Sequence, residues 1–103
     1  MSKIEKLEDL NVWREAHGLV LKTYQQTGRF PKEEIYGLTS QMRRASVSVA
    51  ANIAEGFARA GKGEKLNFYN IAQGSLSELR YYFLLSKELG YLPEASGQMA
   101  ACE

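Results

Sequence analysis

The chain has 103 residues, of which 45% are hydrophobic and 24% charged, with a formal net charge of +1. That length suits one domain, and that balance excludes a largely disordered chain. No apolar run is long enough to cross a membrane. The lone cysteine, Cys102, and the lone histidine, His17, exclude an internal disulfide and the usual zinc ligand sets.

The N-terminus, Met1-Ser-Lys-Ile-Glu-Lys6, lacks the apolar core of a secretion signal, so a cytoplasmic location is expected. Residues 22–65 carry eight basic side chains against four acidic ones, a local balance of +4 that leaves −3 for the rest. A basic middle of this kind makes either a positive face or an ordinary solvated surface.

In chain order, residues 1–8 form an N-terminal arm. The first helix is expected over about 9–28. Asp9 offers a capping carboxylate, and Trp13, Ala16, Val20 and Tyr24 recur at helical spacing. Gly28 and Pro31 mark its end, Gly28 as a left-handed cap. An ordered connector, Pro31 to Gly37, leads to a second helix over about 38–59.

That helix steps through Leu38, Met42, Ala45, Val49, Ile53 and Phe57, with small residues between. Small side chains permit close helix approach on more than one flank. Ala60-Gly-Lys-Gly63 lacks the preceding strand and the spacing of a phosphate loop, and reads as a turn. The third helix is expected over about 64–89, striped by Phe68, Ala72, Leu76, Leu79 and Phe83, with Gly90 as its left-handed stop. The whole of 9–92 makes one bundle domain. Residues 93–103 form a short tail with no repeated apolar face.

The fold class is therefore all-α, an antiparallel up-down bundle in which a fourth helix is short or missing. Extra apolar groups on the third helix need a cover. Tyr69, Tyr82 and Phe83 are the candidates for an oligomer interface, because tyrosines on a two-sided helix are commonly interface residues. Asn52 and Glu55, three apart on the second helix, read as buried polar groups that fix helix register. A lone carboxylate without a second acid, base or metal makes a poor active site, so no catalytic residue, cofactor site or metal site is assigned and no enzyme is expected.

Arg43, Arg44, Arg59, Lys62 and Lys65 are the candidates for a nucleic-acid contact, since guanidinium groups bind phosphate through paired donors. The alternative is structural: one arginine pairs with Glu55 or a neighbouring subunit, and the other is solvated.

Several linked motifs carry a family resemblance. They are Asp9-Leu-Asn-Val-Trp13, Phe30-Pro-Lys-Glu-Glu34, Tyr36-Gly-Leu-Thr-Ser-Gln-Met-Arg-Arg-Ala45, Asn52-Ile-Ala-Glu-Gly56, Gly74-Ser-Leu-Ser-Glu-Leu79 and Glu88-Leu-Gly-Tyr-Leu92. In this order they resemble the four-helix-bundle proteins encoded in intervening sequences of bacterial 23S rRNA genes, also called the S23 ribosomal protein family. The resemblance implies an antiparallel four-helix bundle and a homopentamer. It also implies kinship with the accessory variability determinant of diversity-generating retroelements, which works with a reverse transcriptase and binds nucleic acid. Position 50 is Ala where the family often has Pro, and a fourth helix would follow Leu92. The function expected is a non-enzymatic homo-oligomer that binds rRNA or DNA through a basic surface. The alternative is a structural oligomer or an adaptor for a protein partner, without nucleic-acid contact.

Overall fold

The computed structural model describes residues 6–92. Among them the chain forms three α-helices and no strand: α1 (Asn11–Thr27), α2 (Leu38–Ala58) and α3 (Lys62–Glu88). Short 3-10 turns at Leu7–Asp9 and Lys32–Glu34 precede α1 and α2. The tail at 93–103 lies outside the described residues.

The helix ends differ from expectation in three places. Asp9 does not cap α1, because it is spent in the 3-10 turn. Leu10 holds the cap position, without a side-chain cap. Gly28 ends α1 in right-handed geometry rather than left-handed. Gly61 is the N-cap of α3, so the turn is tighter than Ala60–Gly63 and the helix begins at Lys62.

Gly90 does take the left-handed conformation, with φ of 82°. The Gly90 amide donates to the Lys87 carbonyl at 3.0 Å and the Tyr91 amide to the Ser86 carbonyl at 2.9 Å. That pair of bonds is a Schellman stop, and it turns Tyr91 and Leu92 back onto the bundle.

The core shows the up-down order directly. At one end Leu19, Phe30, Leu38, Met42, Ala45, Leu79, Phe83 and Leu92 cluster. At the other, Ala16, Val49, Ala50, Ile53 and Ala72 cluster, with Leu10, Trp13, Val20 and Leu76 against them. The N-terminal halves of α1 and α3 thus meet the C-terminal half of α2.

Central to the arrangement is α2, which packs along both α1 and α3, while those two hardly touch each other. Ala45, Ser46, Val49 and Ala50 make that double packing feasible, since all are small and buried. An apolar groove of about 430 Å³ remains between α1 and α3, walled by Leu10, Val12, Tyr69, Gln73 and Leu76. Its floor is Val49, Ile53 and Ala72, which are core residues.

The buried hydroxyls of Thr23, Thr27 and Ser86 are paired within their own helices. Thr23 donates to the Leu19 carbonyl at 2.8 Å, and Thr27 to Thr23 at 2.7 Å. Ser86 donates to Tyr82 at 2.8 Å. Such pairing removes the penalty of an orphaned polar group. Among the described residues, no helix is long and apolar enough to cross a membrane.

Candidate nucleic-acid interface

The five basic candidates fall into two groups at opposite ends of α2. At about 1.5 Å per residue, Arg44 and Arg59 lie roughly 22 Å apart along the helix. The first group faces the C-terminal end of α1. Arg43 Nε donates to Thr27 Oγ1 at 2.9 Å, and Nη2 makes a longer contact of 3.4 Å with the Tyr24 carbonyl. Its guanidinium also lies 4.7 Å from the centre of the Tyr24 ring. Arg43 thus places a cation at the negative end of the α1 dipole and clamps α1 to α2. Arg44 is exposed, with no side-chain partner among the described residues.

The second group sits at the α2–α3 turn. Arg59 pairs with Glu55 at 2.8 Å, one helical turn back, and its guanidinium lies 5.0 Å from the Phe68 ring centre. Lys65 Nζ donates to the carbonyls of Gly56 and Phe57 at 3.0 and 3.1 Å. These are end carbonyls of α2, so Lys65 acts as a C-terminal cap. Lys62 is exposed at the start of α3. Arg43, Arg59 and Lys65 therefore carry out fold work, while Arg44 and Lys62 remain uncommitted.

Arg43 and Arg44 line one open groove of about 580 Å³ between α1 and α2, with Tyr24, Ile35, Thr39, Ser40, Val47 and Ser48. Among the described residues, no carboxylate lines this groove.

Two site expectations need correction. Glu55 is not a buried register group. It is 53% exposed and partnered by Arg59, not by Arg43 or Arg44. Its place lies beyond the α2 stripe, on the solvent side. Phe83 is not an interface residue: it is wholly buried in the core. Asn52 is half-buried. Its amide donates to the Ser48 carbonyl at 2.8 Å and to Ser48 Oγ at 3.1 Å. Ser48 and Ser75 hydroxyls are 2.7 Å apart, so the three side chains link α2 to α3.

Tyr82 is half-buried against the core. Burial, then the neighbouring Glu78 carboxylate, pushes its hydroxyl above the usual tyrosine range. Tyr69 lines the α1–α3 groove and lays its ring on Gly56. A Cβ at position 56 would sit 2.5 Å from Tyr69 Cε1, so Asn52–Gly56 ends in glycine for a packing reason. His17 stacks on Trp13 with centroids 5.0 Å apart. Among the described residues, no group of three or more His, Cys, Asp or Glu could hold a metal.

The remaining motif residues were not paired from sequence. Glu34 Oε1 accepts from the Leu38 amide at 3.0 Å, which caps α2. Its other oxygen accepts from the Tyr91 hydroxyl at 2.9 Å. Phe30 and Tyr91 rings meet at 5.2 Å. So Phe30–Glu34 and Glu88–Leu92 form one latch, which ties the α1–α2 connector to the end of α3. The available signal was a carboxylate four residues before the start of α2.

Among curated proteins, none matches the chain. The family model of the 23S rRNA-intervening sequence protein matches residues 8–101, a span holding all the motifs whose geometry is given above, and the chain belongs to that family.

Proposed function

We propose that the chain is a non-enzymatic helical protein of the cytoplasm that works as a homo-oligomer. The observation that carries this reading is the α1–α3 groove, an apolar cleft walled by the exposed Val12 and Tyr69 over core residues of α2 and α3. Its walls hold apolar surface in water, Val12 at 54% and Tyr69 at 36% exposed, which costs free energy in proportion to its area, at roughly 25 cal/mol per Å². The same molecule presents apolar side chains elsewhere: Leu66, Tyr81 and Leu84 on α3 are all at least 40% exposed. An apolar groove together with exposed apolar side chains on α3 favours self-association, and head-to-tail contacts close into rings where the rotation allows. A pentamer is the order that the family resemblance implies. Most motif residues serve helix caps and packing, which supports a scaffold better than a catalyst. Light scattering at several concentrations tests this, and a discrete oligomer is expected.

A second reading adds a nucleic-acid contact, rRNA or DNA, and one observation favours it. The Arg43–Arg44 groove carries two positive charges, no acidic lining, and an arginine without a protein partner among the described residues. Binding that weakens steeply with salt would support it, because phosphate contacts release counterions. The competing expectation, an oligomer or protein adaptor that touches no nucleic acid, predicts no binding even at low salt.

A further inference from the structure

We propose that the groove between the C-terminal half of α1 and the N-terminal half of α2 is a nucleotide subsite for single-stranded nucleic acid. Arg43 and Arg44 take a phosphate, and Tyr24, Ile35 and Val47 take the adjoining base. The inference rests on the nucleic-acid reading above and gives it a place and a strand type.

Three features of the groove point this way. First, its two cations differ in kind. Arg43 is held by Thr27 and by the Tyr24 ring, so little side-chain freedom remains to be lost on binding. Those bonds engage Nε and Nη2, and Nη1 has no hydrogen-bond partner among the described residues. Arg44, one residue on, lines the same groove and makes no competing bond to a described residue. Ser40, also in the lining, makes no side-chain hydrogen bond to a described residue and is a further donor for a phosphate oxygen.

Second, the walls are apolar where the charge ends. Tyr24, Ile35 and Val47 are 44%, 55% and 42% exposed. Such a surface is wasted on a bare phosphate, but it suits the flat face of an unstacked base. Third, the other three candidate cations, Arg59, Lys62 and Lys65, lie at the far end of α2. Arg59 and Lys65 are bonded to protein groups about 22 Å along α2. A duplex read through its backbone calls for a continuous basic stripe, which the five candidates, divided between the two ends of α2, do not form. One compact groove with a hydrophobic wall matches a single strand instead. An acidic peptide would satisfy the arginines but would gain little from the aromatic wall.

The test uses the full chain and labelled 12-nucleotide oligouridylate and oligoadenylate, a hairpin duplex, and polyglutamate, followed by fluorescence anisotropy across salt concentrations. Arg44→Ala should weaken single-strand binding roughly tenfold and lower the salt slope by about 0.7. Its melting temperature should not change, because Arg44 bonds to no described residue. Val47→Glu, at an exposed position, should weaken binding at least as much by bringing a carboxylate into the groove. Lys62→Ala removes the same charge at the far end and should leave binding unchanged.

If Lys62→Ala or Arg59→Ala weakens binding as much as Arg44→Ala, nucleic acid binds but the groove is not the site. If the hairpin binds as tightly as the single strands, the base subsite is wrong. If polyglutamate competes equally, the groove is a general polyanion site and the proposal fails. If no nucleic acid binds at low salt, the second reading fails and this inference with it.

Discussion

Replacing Gly56 by alanine sets two effects of opposite sign against each other. Alanine is the better helix former, by up to about 1 kcal/mol in a helix interior, and by less in the last turn of α2. Against that, the new methyl would stand 2.5, 2.8 and 3.0 Å from three atoms of the Tyr69 ring. Overpacking typically costs about 1–3 kcal/mol. Tyr69 is 36% exposed, so the ring can swing outward, and the cost belongs at the lower end. The net expectation is destabilisation by less than about 1 kcal/mol, a fall of about 5 °C or less in melting temperature for a domain of this size. Thermal unfolding by circular dichroism, at one fixed protein concentration, measures it. In a Tyr69→Ala background the clash is gone, so Gly56→Ala should become neutral or stabilising. The difference between the two backgrounds is the coupling of the pair. Equal stabilisation by Gly56→Ala in both backgrounds would refute the packing account.

Other perturbations probe the latch and the caps. Glu34→Ala removes the α2 cap and the partner of Tyr91, and should destabilise by about 1–2 kcal/mol in urea unfolding. The Glu34 hydrogen bond, then burial and the Glu34 charge, raises the Tyr91 hydroxyl above its usual range. Stability from this group is therefore complete below the unfolded tyrosine range and is lost as pH rises through the raised folded value. Alkaline titration should show that loss in the native chain, and Tyr91→Phe should reduce it to the part that Tyr82 contributes. Arg43→Ala should cost about 1–2 kcal/mol by freeing α1 from α2. Arg59→Ala should cost less than about 1 kcal/mol, since its pair with Glu55 is exposed. Equal losses for Arg43→Ala and Arg59→Ala would contradict the division between clamp and surface pair.

Periodicity carries the fold well because it reports burial along one helix at a time. The stripes through Val49, Ile53, Leu79 and Phe83 are the core stripes of α2 and α3. Phe83 already belonged to that stripe, and its reading as an interface residue conflicted with it. Helix ends are less legible, because Asp9 and Gly61 compete with neighbours for the cap and backbone geometry decides. Glu55 and Arg59 stand four apart, a spacing that predicts their pairing without any tertiary knowledge. The contacts of Arg43 with Thr27, Tyr69 with Gly56, and Glu34 with Tyr91 join residues on different elements. No single-helix pattern contains them; they appear only once α2 is central. Motif residues clustered in sequence thus read as a possible site, whereas their partners show them to be caps and close-packing points.

The account depends most on what closes the α1–α3 groove. Light scattering of the purified 11.6 kDa chain after gel filtration measures this across a range of protein concentrations. The account predicts a discrete species several times the chain mass, with a melting temperature that rises with concentration. A monodisperse 11.6 kDa monomer with a sharp, concentration-independent melting transition would contradict it.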